Sequence, residues 1–139
     1  MNDAELIIVG GGNNLERYKC RYFHEKIHFK GSVFGDELIN FYSTSSVFVF
    51  PSTVEAWGLV VNEAMSSGLP VIAHRQVGAC HDLIIDEENG FVISDWEQLE
   101  KRMLELYNNP ELIKKFSKNA EFLMREKWNY SLYEKNLME

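Results

Sequence analysis

Short, uninterrupted apolar runs recur along this chain, each followed by glycine or a polar loop and then by apolar residues at helical spacing. Residues 4–9 read as a buried strand ending in Gly10-Gly11-Gly12-Asn13-Asn14, after which Leu15, Tyr18 and Tyr22 return at the period of a helix face. Ile27-His28-Phe29 predicts a second strand closed by Gly31, and Leu38, Ile39 and Phe41-Tyr42 place a short helix over residues 36–43. Val47-Phe48-Val49-Phe50 is a third strand, and its lack of alternation is what a sheet covered on both faces requires. Pro51-Ser52 ends it. A loop then runs to Gly58, and residues 59–67 form a helix stopped by Gly68 with Pro70 beyond. Val71-Ile72-Ala73 is the fourth strand, Asn89-Gly90 a turn, and Phe91-Val92-Ile93 the fifth strand. Ser94-Asp95-Trp96-Glu97 has the spacing of a capping box before a helix reaching Asn108. Asn109-Pro110 restarts the chain as N-cap and first helical residue, and Leu112, Phe116, Ala120, Leu123 and Met124 supply one apolar stripe to about Lys127.

Strands alternating with helices imply parallel pairing and right-handed crossovers, hence an α/β fold with a doubly wound, three-layer parallel sheet. Ligands of such sheets bind at the carboxyl ends of the strands, which directs attention to residues 10–14, 30–35, 51–58 and 74–79. The length of 139 residues suits one domain, and 45% hydrophobic with 25% charged residues is ordinary for a soluble globular protein. A net charge of −7, from 14 Lys and Arg against 21 Asp and Glu, makes nucleic acid an unfavourable partner. Cys20 and Cys80 are too few for a disulfide framework, so a reducing cytoplasm is the expected location. The run Leu6-Ile7-Ile8-Val9 is too short to span a bilayer and lacks the basic flank of a signal peptide. His24, His28, His74 and His81 show no metal-ligand spacing.

Most of the chemistry is concentrated in Pro51-Ser52-Thr53-Val54-Glu55-Ala56-Trp57-Gly58-Leu59-Val60-Val61-Asn62-Glu63-Ala64-Met65. Glu55 stands just before a helix whose opening turn, Gly58-Leu59-Val60, offers unpaired backbone N–H groups and the positive end of the helix dipole. Such a tip suits an anion, and a glycine there would keep a side chain from blocking a diphosphate. Glu63 follows in the second turn, with seven residues between the two glutamates. Carboxylates repel phosphate but accept hydrogen bonds from hydroxyls, so their natural partners are the hydroxyls at the two ends of a nucleotide sugar. The plainer reading is that Glu55 only complements the dipole and Glu63 is merely solvated.

Residues 51–72 closely resemble the signature of glycosyltransferase family four, the large retaining family with the GT-B fold, in which two glutamates are separated by seven residues. Further segments resemble that family in order: Ile8-Val9-Gly10-Gly11-Gly12, Ile27-His28-Phe29-Lys30-Gly31, Val77-Gly78-Ala79-Cys80-His81-Asp82-Leu83-Ile84 and Asn89-Gly90-Phe91-Val92. The resemblance implies a Rossmann-like domain, the C-terminal, donor-binding half of a GT-B fold. It also implies a transferase in which Glu55 meets the donor sugar, Glu63 meets the ribose, and Gly58, Leu59 and Val60 hold the diphosphate. Gly10, Gly11, Lys30, Gly31 and Val33 would border the base. A UDP sugar is the favoured donor and a GDP sugar the alternative, no metal or other cofactor is needed, and the acceptor is a glycan or lipid-linked molecule. The variant of the signature found here points to bacterial surface polysaccharide assembly.

By the same resemblance the chain begins at the second strand of the donor domain. The segment that carries an Arg and a Lys against the leaving diphosphate is then expected to be missing, and Arg17, Lys19 and Arg75 are the candidate replacements. The amino-terminal acceptor domain is expected to be missing too. The chain alone is therefore expected to be inactive, and any membrane contact to reside in the absent half. A dehydrogenase reading of Gly10-Gly11-Gly12 fails because no GxGxxG is present and the next strand ends in Lys30. The rival from another class is a non-catalytic binding or interaction module that keeps the fold, with Phe116, Leu123, Trp128 and Tyr130 as a partner surface.

Overall fold

The computed structural model describes residues 3–129, and the chain divides between Asn40 and Phe41 into two compact units. In the first, β1 (Leu6–Val9) and β2 (Ile27–Gly31) pair in parallel and α1 (Leu15–Arg21) connects them. The register runs Leu6 to Ile27, Ile7 to His28 and Ile8 to Phe29, then skips Lys30 so that Val9 faces Gly31. This is a bulge, and it comes where the strands end and the Gly10 N–H donates to the Gly31 carbonyl at 2.7 Å. α1 buries none of its residues fully, and Tyr18 and Tyr22 stay about half exposed with ring centroids 6.1 Å apart. α2 (Asp36–Thr44) follows, its last residues falling in the second unit.

The second unit holds β3 (Phe48–Phe50), α3 (Leu59–Ser66), β4 (Val71–His74), α4 (Cys80–Leu83), β5 (Gly90–Ile93), α5 (Trp96–Asn108) and α6 (Pro110–Lys127). Its sheet has the order β3-β4-β5, all parallel. All four side chains of the central strand β4 are buried, as an unalternating strand between covering layers should be. Ile72, Phe91, Ile93, Leu99, Leu106 and Phe116 form the core of this unit. Phe91 and Phe116 meet edge to face at 5.2 Å and 70°. The Arg102 guanidinium lies 4.2 Å over the Phe91 ring and is held at 2.8 Å by both Glu87 and Glu105, which keeps it charged. The Ser117 hydroxyl donates to the Gly68 carbonyl at 2.6 Å and ties α6 to the end of α3.

The α/β class and the parallel pairing read from the alternation are both present. Three details differ from expectation. The hydrogen bonds group the five strands into two sheets, one in each unit, rather than one ladder. α4 is an additional single turn within the segment that follows β4. The α5 cap is Asp95, not Ser94: Asp95 has extended backbone angles and its carboxylate accepts from the Gln98 N–H at 2.8 Å. Ser94 instead donates its hydroxyl to Asp95 and its N–H to the Gln98 side chain. The Gln98 amide is the main reason that the Asp95 carboxyl is held below the usual carboxylate range.

The apolar stripe of α6 is core. Phe116 and Leu123 are buried, which leaves them unable to offer the partner surface considered above. Trp128 packs against Trp57 at 5.9 Å, and Tyr130 lies outside the described residues. Among the described residues no helix is long and apolar enough to cross a membrane. Phe116→Ala is expected to cost about 3–5 kcal/mol in urea unfolding, and Phe122→Ala, at a 58% exposed position of the same helix, less than about 1 kcal/mol. Similar losses at both positions would contradict this assignment of the core.

Candidate functional site

The candidate site is built by one loop closing on another at the carboxyl ends of β3 and β4. Pro51 ends β3, and the chain then runs alongside the segment that leaves β4. Glu55 forms a parallel bridge with Val77, the Gly78 N–H donates to the Glu55 carbonyl at 3.1 Å, and the Ala79 N–H donates to the Trp57 carbonyl at 2.8 Å. A Cβ on Gly78 would overlap the Ala56 carbonyl oxygen, so the two loops can approach this closely only with glycine at 78. The Trp57 indole N–H donates to the Asn62 side chain at 2.9 Å and clips the loop to the second turn of α3.

Gly58 is the N-cap of α3, with φ 93° and ψ 66° in the left-handed region. A Cβ there would stand 3.0 Å from Val77, 3.1 Å from Phe50 and 3.3 Å from Glu55 Cγ. This corrects the expected reason for the glycine. The space it leaves free is filled by protein, so glycine lets the turn close rather than making room for a diphosphate. The same contact places Glu55 Cγ beside Gly58 at the start of the helix. The α3 ladder opens with the Val61 N–H donating to the Gly58 carbonyl at 2.9 Å. The N–H groups of Leu59 and Val60 precede that bond and donate to no carbonyl among the described residues, while Leu59 is 69% exposed. Two amides without a carbonyl partner at a helix N-terminus are what an anion needs.

Glu63 lies four residues after Leu59 and three after Val60, hence on their side of α3. It is exposed, and one of its oxygens, Oε2, accepts a hydrogen bond from the Tyr42 hydroxyl at 3.0 Å. Tyr42 is buried. Burial first, and then the bond to and charge of Glu63, push its hydroxyl well above the usual tyrosine range, so it remains a donor throughout the physiological range. Sequence reasoning placed Tyr42 on the apolar face of its helix and missed this bond.

His74 sits at the end of β4 with both ring nitrogens engaged. Nδ1 accepts from the Gln76 N–H at 3.2 Å, which leaves the proton on Nε2 to donate to the Ser94 carbonyl at 3.1 Å. Together with Pro51, Thr53, Ile93, Ser94, Asp95 and Trp96 it lines a cleft of about 200 Å³ at the carboxyl ends of β3, β4 and β5. The Ser94–Trp96 wall was not among the loops singled out from the sequence. Cys80 donates its thiol to the His74 carbonyl at 3.4 Å, and burial pushes that thiol up to about 11. Among the described residues no three His, Cys, Asp or Glu side chains gather in the manner of a metal site.

Within the first unit, the loops after β1 and β2 meet. A Cβ on Gly11 would lie 2.5 Å from the Ser32 hydroxyl oxygen, and Gly10 bonds to Gly31 as described. Lys30 is exposed, whereas the Val33 side chain is buried and could meet a ligand only through its backbone. Of the candidate counter-cations, Lys19 is paired with Glu16 at 2.8 Å, Arg17 lies on α1, and Arg75 follows β4 with its side chain exposed.

The sequence pattern of the family described as glycosyl transferases group 1 matches residues 1–122. The chain is 41% identical over 88 residues to the sulfoquinovosyl transferase of Arabidopsis thaliana, covering 63% of this chain and 17% of that protein. It is 32% identical over 132 residues to an uncharacterised glycosyltransferase of Methanocaldococcus jannaschii, covering 91% and 37%. A solved structure of an S. aureus TarM variant in complex with fondaparinux, alpha-GlcNAc-glycerol and UDP is similar with a TM-score of 0.81 at 26% identity, over 98% of this chain and 29% of that one. The chain thus spans little more than a third, at most, of the length of each of these proteins.

Gly78 has room for no side chain and needs no left-handed angle, so Gly78→Ala isolates the steric closure of the two loops. It is expected to lower unfolding stability in urea by about 3 kcal/mol, the upper range for an overpacked site. Wild-type stability would show that the loops are not held this closely.

Proposed function

The chain belongs to the glycosyl transferases of group 1, and from that membership we propose that it binds the nucleotide-sugar donor of a retaining sugar transfer. The observation that carries this reading is the N-terminal tip of α3, where the amides of Leu59 and Val60 have no carbonyl partner among the described residues, with Glu55 before it and Glu63 one turn on. In the transfer, the bond between the sugar and the diphosphate breaks, the diphosphate departs with the bonding electrons, and an acceptor hydroxyl oxygen joins the sugar as its proton passes to the departing diphosphate. Negative charge therefore grows on the diphosphate as the bond lengthens. Preset amide donors at a helix N-terminus favour that charge where it develops, without needing to reorganise.

Glu55, its Cγ beside Gly58 at the helix start, is assigned to the hydroxyls of the donor sugar, and Glu63, one turn further on, to those of the ribose. Neither carboxylate suits the diphosphate itself, which is why the phosphates fall to the amides between them. We take UDP sugars as the preferred donors and GDP sugars as the alternative. The presence of UDP in the TarM complex supports this order. A glycan or lipid-linked acceptor and a role in bacterial surface polysaccharide assembly complete the proposal. The reading calls on no resident metal or cofactor.

Titration of the chain with UDP, followed by amide NMR, tests the assignment. The signals of Leu59 and Val60 are expected to move in a saturable way at roughly millimolar nucleotide, the range that corresponds to about 4 kcal/mol of binding. Signals that stay fixed there while α5 or α6 responds would refute it.

A further inference from the structure

We propose that Tyr42 is a positioning residue for nucleotide binding: its hydroxyl holds the Glu63 carboxylate by Oε2 so that Oε1 is left to accept from the ribose hydroxyls. The inference rests on the donor-site reading above and adds to it a residue that touches no ligand.

An exposed glutamate on a helix ordinarily samples several rotamers, and an acceptor that must find one geometry on binding loses that freedom at the moment of recognition. Glu63 is different because its carboxylate is tethered at 3.0 Å to a buried side chain. Tyr42 is 7% exposed, and its ring packs edge-on against Phe48, with centroids 5.8 Å apart and planes at 74°. Phe48 in turn stacks with Phe50, the residue at the end of β3 that also touches the Gly58 turn. A rigid aromatic path therefore runs from the strand that ends at the candidate site to the carboxylate on α3. The polarity of the bond is fixed as well, because the raised tyrosine remains a donor and Glu63 can only accept. Oε1 accepts no hydrogen bond among the described residues. A purely structural account would have Glu63 serve Tyr42, satisfying a half-sequestered hydroxyl and nothing more.

The two accounts separate in the discrimination between ribose and a ribose without hydroxyls. The chain and its Tyr42→Phe variant would each be titrated by calorimetry with UDP and with 2′,3′-dideoxy-UDP, and with the guanosine pair if UDP does not bind. Tyr42→Phe keeps the ring and its packing and removes one oxygen from the surface side of a bond whose acceptor is exposed, so water replaces it and the fold is retained; circular dichroism and melting confirm this. The wild type is expected to prefer the ribose nucleotide by about tenfold, the scale of a hydrogen bond to a charged acceptor. In Tyr42→Phe most of that preference is expected to vanish through weaker binding of the ribose nucleotide, with dideoxy affinity unchanged. A full preference in the variant overturns the positioning role, and so does an equal drop for both nucleotides, which would mark Tyr42 as structural. A wild type that shows no preference, or binds neither pair, overturns instead the assignment of Glu63 to the ribose and the donor-site reading beneath it.

Discussion

The left-handed turn at Gly58 is the constraint on which the site depends. It lets Phe50 and Glu55, with Val77 from the segment after β4, pack against the start of α3, whose first two amides donate to no carbonyl among the described residues. Any side chain at that position would have to displace the three neighbours and adopt an angle that costs an L residue about 1–2 kcal/mol. The turn thus does two jobs with one residue. It closes the loop against the segment after β4, and it leaves the positive end of a helix without a backbone acceptor among the described residues.

Around that turn the protein spends its hydrogen bonds on the backbone of the loop, while the Glu55 carboxylate and Oε1 of Glu63 accept none among the described residues. The carbonyls of Glu55 and Trp57 are taken by the amides of Gly78 and Ala79, and the Trp57 indole is taken by Asn62. Rigid backbone with available carboxylates is the arrangement expected where a ligand, not the fold, is to be satisfied. The burial supports the same division. β4 is sealed on both faces and the Phe91–Phe116 core lies beneath it, while Val54 and Leu59 at the loop remain open.

The fold was largely legible because parallel strands buried on both faces announce themselves as unbroken apolar runs, as Val71-Ile72-Ala73 did. Helix ends were legible where the stop signal was a glycine or a proline, as at Gly68 and Pro110. The capping box misled by one residue because Ser94 and Asp95 are both good caps, and spacing alone cannot tell which adopts the extended backbone. At the site, the Glu55 to Glu63 string was visible and its neighbours in space were not. Val77 and Gly78 meet the loop through backbone pairing with Glu55, 22 and 23 residues away, which leaves no mark on side-chain pattern. Tyr42 read as one more apolar residue on a helix face. A tyrosine at a buried position does carry a signal, since its hydroxyl must find a partner, but the sequence names no partner 21 residues away.

The most informative measurement is a crystal structure of the chain with a bound UDP sugar. The diphosphate oxygens should lie within about 2.7–3.2 Å of the backbone nitrogens of Leu59 and Val60, with hydroxyls of the sugar and of the ribose on the Glu55 and Glu63 carboxylates. A nucleotide seated elsewhere, with those two amides still facing water, would contradict the role given to the helix tip and leave only the fold and the family standing.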